Sequence, residues 1–172
     1  MNHAGPDRAK DRGHTAPVHV EITNPRSADA QYCLRCFFEE LDERFDTGFD
    51  PSRSVSAGHG EMTLPAGLLL VATAEGSPVG CGAVKFHRDT GVGEVKRMWV
   101  APVARGLGLG RRLLESLADE SSSRGMRMLR LETNRALSEA RRLYRAAGFT
   151  EVEPYNDEPY ADYWFQRNLP RT

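Results

Sequence analysis

The stretch "MWVAPVARGLGLGRRLLESL", Met98 to Leu117, carries the chain out of an apolar strand, through a glycine-rich turn and into a helix led by Arg111 and Arg112. N–H groups at the start of a helix have no partner within it, and the helix dipole favours an anion there. Gly106, Gly108 and Gly110 offer close approach and permissive dihedrals, and Arg105, Arg111 and Arg112 add charge able to pair with phosphate oxygens. The turn reads as a phosphate cradle, against the plainer alternative of a turn that only ends a strand.

Upstream, "GLLLVATAEGSPVGCGAVKFH" (67–87) is a strand, a Gly-Ser-Pro turn and a strand, and "GVGEVKRMWV" (91–100) adds a third. Connections this short predict an antiparallel meander. Further back, "VHVEIT" (18–23) alternates as a strand, and Ser27 to Phe45 reads as an amphipathic helix behind a Ser cap. Residues 46–66 show no clear period and read as loop, with a short helix as the alternative. Downstream, Leu109, Leu113, Leu114, Leu117 and Ala118 form a helical stripe ending near Gly125, and "MRMLRLET" (126–133) is a strand. "LSEARRLYRAAGF" (137–149) is a helix closed by Gly148, and two closing strands follow near 150–153 and 160–169. The fold class is α/β (α+β): a mixed, mostly antiparallel sheet of six to seven strands with helices on both faces. Residues 1–16, polar and without hydrophobic period, are expected to be a disordered tail, and 17–172 one domain.

The 172 residues are 40% hydrophobic and 27% charged with a net charge of -1, which gives no global field for nucleic acid. No apolar run reaches the roughly 18 residues of a membrane span, and the three cysteines form no disulfide framework, so the expected location is the cytoplasm. Positive charge is concentrated locally: Arg105 to Arg145 holds ten Arg against five Asp or Glu. A polyphosphate ligand accounts for this, as does a solvated face.

A dinucleotide-binding turn requires G-x-G-x-x-G. After Gly106 and Gly108 the third glycine falls at Arg111, too bulky for that helix-to-strand contact, and no Gly-Lys-Ser/Thr follows for a triphosphate. An NAD(P)-binding enzyme is left as a minor alternative. Arg105-Gly106-Leu107-Gly108-Leu109-Gly110 instead resembles the R/Q-x-x-G-x-G/A signature of the GNAT superfamily of acyl-CoA-dependent N-acyltransferases. "GEVKRMWVAPVARGLGLGRRLLESL" is similar to that family's fourth strand, turn and third helix, and "EARRLYRAAGF" to its later helix, with a Tyr four residues before Gly-Phe.

The resemblance implies acetyl-CoA as donor, a primary amine of a small molecule or peptide as acceptor, and direct transfer without metal. The amides of Leu107, Gly108, Leu109, Gly110 and Arg111 would hold the CoA pyrophosphate beside Arg105 and Gly106. The strand before them would splay from its neighbour at a bulge, and main-chain groups of the Met98-Trp99-Val100 segment would pair with pantetheine as an added strand does. Tyr144 matches the tyrosine that protonates the leaving thiolate, and Glu94 the glutamate that deprotonates the amine directly or through water. From pattern alone, Tyr144 is a core tyrosine and Glu94 a strand-end carboxylate. The family often has Asn seven residues before the Tyr, where this chain has Leu137; Asn134 either contacts pantetheine with Thr133 or caps its turn.

Cys33 and Cys36 lie three apart on a helix, but no second Cys pair or paired His accompanies them, so buried structural thiols are expected rather than zinc. Cys81, within a strand, has no adjacent His to activate it as a nucleophile. His59 and His87 read as isolated surface residues. Glu39, Glu40, Asp42, Glu43, Asp46 and Asp50 form either a solvated helix face or, given how this family walls its acceptor site, an attractor for a cationic amine. Pro154 to Phe165 shapes that pocket or a homodimer contact. A non-catalytic acyl-CoA-binding or sensing domain is the second reading.

Overall fold

A computed structural model describes residues 16–55 and 57–171. The expected tail, apart from Ala16, lies outside them. Strand β1 (Val18–Ile22) leads to helix α1 (Ala28–Arg44), whose cap is Ser27, its hydroxyl oxygen accepting from Ala30 N. The aperiodic segment holds two single-turn 3-10 helices, Pro51–Arg53 and His59–Met62. Then come β2 (Gly67–Ala74), β3 (Ser77–His87) and β4 (Val92–Val100), the expected meander. After a 3-10 turn at Pro102–Ala104, α2 (Leu109–Ser123), β5 (Met128–Thr133), α3 (Ser138–Ala146), β6 (Thr150–Val152) and β7 (Tyr163–Asn168) complete the chain. Among the described residues no helix is long and apolar enough to cross a membrane.

The sheet runs β1-β2-β3-β4-β5-β7-β6, antiparallel throughout except at β4 and β5. One face packs Leu68, Val84, Val95, Leu129, Leu131 and Phe165 under α2 and α3, and the other packs Leu69, Val71, Cys81, Ala83 and Trp99 under α1. Both faces of the middle strands are therefore dry, which is why β2 and β3 read as almost continuous apolar runs.

Two departures from regular pairing create the site. Strands β4 and β5 pair only at Val92, Gly93 and Glu94, so they splay beyond that point. Opposite, β3 meets a bulge: Cys81 faces Trp99 but Ala83 faces Lys96, leaving Arg97 and Met98 against Gly82 alone. Arg97 takes the left-handed conformation at φ +59°. A Cβ on Gly82 would stand 2.6 Å from Met98 Sδ and 3.1 Å from Leu117 Cδ1, so a larger residue would have to displace the Met98 side chain. The Cys81 thiol donates to the bulge carbonyl of Arg97 at 3.1 Å, and its hydrogen bond with Cys33, followed by burial, pushes it well above the usual thiol range. That thiol is structural.

Candidate active site

The turn after β4 opens a cleft of about 380 Å³ whose walls include Met98, Val100, Arg105, Gly108, Gly110 and Tyr144. Trp99, Gly106, Leu109 and Arg111 line it as well; Leu107, also expected at the cofactor, points outward and is exposed. Gly106 and Gly108 adopt φ +77° and +81°, and Gly108 caps α2 without a side chain. Nothing from the cap residue therefore covers the first-turn N–H groups that face the cleft. Gly110 serves packing instead: a Cβ there would lie 3.1 Å from Leu143 Cδ2, so its absence lets α2 meet α3.

Ala101 N donates to Val79 O at 2.8 Å, so the Trp99 and Ala101 edge of β4 faces β3, and the Met98 and Val100 edge faces the cleft. Arg105 Nε donates to Val100 O at 3.0 Å, while its Nη2 holds both carboxylate oxygens of Glu40 at 2.8 and 2.9 Å. Glu40 also pairs with Arg44, which bonds Glu139 of α3. This chain of charges crosses the mouth of the cleft. The other two turn arginines face elsewhere: Arg111 pairs with Glu115 at 3.3 Å and Arg112 donates to Val18 O at 2.7 Å.

A second cavity, of about 130 Å³, lies under the splay and shares Phe37, Leu41, Met98, Leu137, Ala140 and Tyr144 with the first. Phe45, Phe49 and Tyr160 add aromatic walls, and Phe49 and Tyr160 pack at 4.8 Å between ring centroids. Two loops meet here through Glu158, whose Oε2 accepts from Ser54 Oγ at 2.8 Å and Val55 N at 2.6 Å and whose Oε1 accepts from Tyr160 N at 3.2 Å. The segment Pro154 to Phe165 thus shapes the pocket. None of Glu39, Glu40, Asp42, Glu43, Asp46 and Asp50 lines this cavity; five of these six are exposed and Glu40 lines the cleft.

Tyr144 stands where the two cavities meet. Its ring packs against Phe149 and Phe165, and its hydroxyl makes no hydrogen bond among the described residues. Burial, and then the charge of Glu132, raise its pKa above the ordinary tyrosine value, so the hydroxyl keeps its proton at neutral pH. Asn134 lines the smaller cavity but spends both polar ends on the chain, donating to Tyr160 O at 2.7 Å and accepting from Ala136 N at 2.9 Å. It caps the turn, and Leu137 fills the position where an amide was awaited.

Glu94 is absent from the walls of both cavities. Its carboxylate lies 2.5 Å from His87 Nε2 and 3.4 Å from Lys96 Nζ, so His87 is not the isolated residue expected. Lys96 reaches across the splay to Glu132 Oε1 at 2.6 Å, and the Tyr155 hydroxyl donates to Glu132 Oε2 at 2.9 Å. Lys96, Glu132, Glu158 and Arg97, whose guanidinium stacks 4.7 Å over Phe38, line the cavity and carry no motif. For Lys96 and Glu132 the signal was alternation: charges at 94, 96, 130 and 132 sit on two strands that helices cover on the opposite face, so these side chains share one partly buried face.

A sheet splayed between β4 and β5, with a glycine turn before α2 and a tyrosine between two cavities, is the fold of the GNAT acyl-CoA N-acyltransferases. The chain belongs to the acetyltransferase (GNAT) family, whose sequence pattern matches residues 32–149, and it is an acetyltransferase. An IAA acetyltransferase of Azospirillum brasilense is 36% identical over 139 residues, 81% of this chain and 90% of that protein. A GNAT-family acetyltransferase of Staphylococcus aureus shares the fold with a TM-score of 0.74 at 17% identity, over 90% of this chain and 100% of that one. A Salmonella typhimurium protein solved with acetyl-CoA gives 0.68 at 19%, over 91% and 96%.

Proposed function

We propose that the chain, as one domain over 17–172, moves an acetyl group from acetyl-CoA directly onto the primary amine of a compact acceptor with an apolar or ring-bearing body. The observation that carries this is the meeting of the two cavities at Tyr144. A donor threaded along β4 and an acceptor under the splay come together along that shared wall, where Tyr144 brings a hydroxyl.

The residues divide the work. The first-turn amides of α2 hold the pyrophosphate, helped by Arg105 once it leaves Glu40. The Met98 and Val100 edge takes the pantetheine amides as an added strand would, after Arg105 releases Val100 O. Tyr144, neutral and hydrogen-bonded to nothing else, gives its proton to the leaving sulfur. The acceptor cavity approaches the volume of one that holds benzene, and five aromatic side chains suit a small apolar body over a long polyamine or an aminoglycoside. The Salmonella structure, solved with acetyl-CoA, supports the choice of donor.

Release of free CoA thiol from acetyl-CoA, followed over polyamines, amino acids, arylalkyl amines, aminoglycosides and peptide N-termini, tests this. Arylalkyl or short aliphatic amines are expected to give the highest kcat/KM, and Tyr144→Phe to lower kcat about 10²-fold or more with acetyl-CoA affinity kept. Binding of acetyl-CoA without transfer to any amine, unchanged in Tyr144→Phe, would leave a binding or sensing domain in its place.

A further inference from the structure

We infer that Glu132 receives the proton of the acceptor amine, and that Lys96, Glu94 and His87 pass it to solvent; this rests on the amine-acetylation reading. An amine attacks a thioester only as the neutral base, so a proton acceptor must lie within reach of it, directly or through water. Glu132 lines the cavity with Tyr144 and its charge is felt at the Tyr144 hydroxyl, whereas Glu94 lines neither cavity. Glu158, the other carboxylate of the wall, accepts from two backbone N–H groups and the Ser54 hydroxyl, none of which leads to a second carboxylate, whereas Glu132 is bonded to Lys96, which reaches on to Glu94.

The exit path is drawn by distance and exposure. Glu132 Oε1 lies 2.6 Å from Lys96 Nζ, Lys96 Nζ 3.4 Å from Glu94 Oε2, and Glu94 Oε1 2.5 Å from His87 Nε2. Side-chain exposure rises along that line from 9% at Glu132 and Lys96 to 16% at Glu94 and 33% at His87. The direction is from cavity to water. The charged and titratable groups around Glu132 are Lys96 and Glu94 from β4, Arg130 on its own strand, Tyr155 from the loop after β6, and Tyr144 from α3. Arg97 and Glu158 complete the cavity wall. Tyr155, raised above the ordinary tyrosine value chiefly by burial, stays a donor and fixes the Glu132 carboxylate.

The protons balance. An ammonium acceptor loses two per turnover. The first goes to Glu132 before attack; Lys96 then gives a proton to Glu94 and takes the one on Glu132, and His87 relays the Glu94 proton to water. The second, left on nitrogen after attack, restores Tyr144, whose own proton has gone to sulfur. Glu132 is the catalytic residue here, and Lys96, Glu94 and His87 act through it.

The test uses the full chain with acetyl-CoA and the best amine of the panel. Glu132→Gln keeps one acceptor oxygen, for Lys96 or for Tyr155, and is expected to lower kcat about 10²- to 10⁴-fold while acetyl-CoA still raises its Tm as in the wild type. Its kcat/KM should rise tenfold per pH unit up to the pKa of the amine, because solution must then supply the neutral acceptor. Glu132→Asp, which retains the charge, should recover part of the rate. Glu94→Gln and His87→Gln should leave the first turnover intact and slow only later ones, with imidazole buffer rescuing His87→Gln. Wild-type kcat and pH profile in Glu132→Gln would overturn the inference, as would a first turnover lost in Glu94→Gln and kept in Glu132→Gln. Absence of transfer by the wild type to any amine is a separate failure, that of the acetylation reading, and removes the inference with it.

Discussion

Gly108 caps α2 at φ +81° with no heavy atom within 4 Å of where a Cβ would stand. Gly125, just past the other end of the helix, is at φ +86° with the same empty surroundings, and it lines neither cavity. At 1.5 Å per residue the intervening helix is about 22 Å long. Replacing either glycine with alanine therefore imposes the same backbone cost, about 1–2 kcal/mol for a left-handed non-glycine residue, offset in part by lower entropy of the unfolded chain. For a chain of this size each such kcal/mol lowers Tm by about 2–4 °C. Both variants should fold and melt a few degrees early. Only Gly108→Ala should lose CoA: its backbone must relax, turning the first-turn N–H groups away from the pyrophosphate. A hydrogen bond to a charged group contributes about 1.5–3 kcal/mol, so losing one weakens binding about 10- to 150-fold. Calorimetric titration with CoA of both variants and the wild type reads this directly. Equal CoA affinity in Gly108→Ala and Gly125→Ala refutes the cradle.

The charge chain across the cleft mouth yields two more expectations. Glu40→Gln frees Arg105 from its bidentate partner, and because exposed ion pairs contribute about 0.2–1 kcal/mol, CoA affinity should rise about 1.4- to 5-fold at low salt and converge with the wild type at high salt; weaker binding would show that Glu40 belongs to the donor site. Glu139 is held down at about 2, first by its hydrogen bond from Arg44. A carboxyl depressed on folding stabilises above its unfolded pKa of about 4.3, so the Tm advantage of wild type over Glu139→Gln should be constant near pH 6 and fade between about pH 5 and pH 2. A Tm difference independent of pH contradicts this.

Much of the architecture was written in local pattern. Ser27 predicted the α1 cap, the strand runs at 67–87 and 91–100 predicted the meander, and Gly148 at φ +84° closes α3 as its position suggested. The insertion of β7 between β5 and β6 had no local signal, since pairing order depends on contacts distant in sequence. Arg97 shows the same limit within one strand. The family resemblance implied a bulge on this strand, but nothing local in "VKRMWV" marks Arg97 as its place, because the bulge exists only against Gly82 fifteen residues earlier. Its presence changes which side chains face α1 and places Trp99, rather than Met98, beside Cys81. Motif reading found the donor side, where backbone and glycine spacing do the binding. It missed Lys96 and Glu132, whose significance lies in a contact across two strands that have parted.

The walls common to the two cavities make donor and acceptor rivals for space. Met98, Leu137, Ala140 and Tyr144 are among the side chains that bound both. Each carbon added to the acyl chain of the thioester is a carbon taken from the room left for the amine. Selectivity for the acyl group and selectivity for its recipient are then a single trait, and a substitution that enlarges one choice narrows or widens the other. Enlarging Ala140 would restrict the chain to the shortest acyl groups and the slimmest amines together.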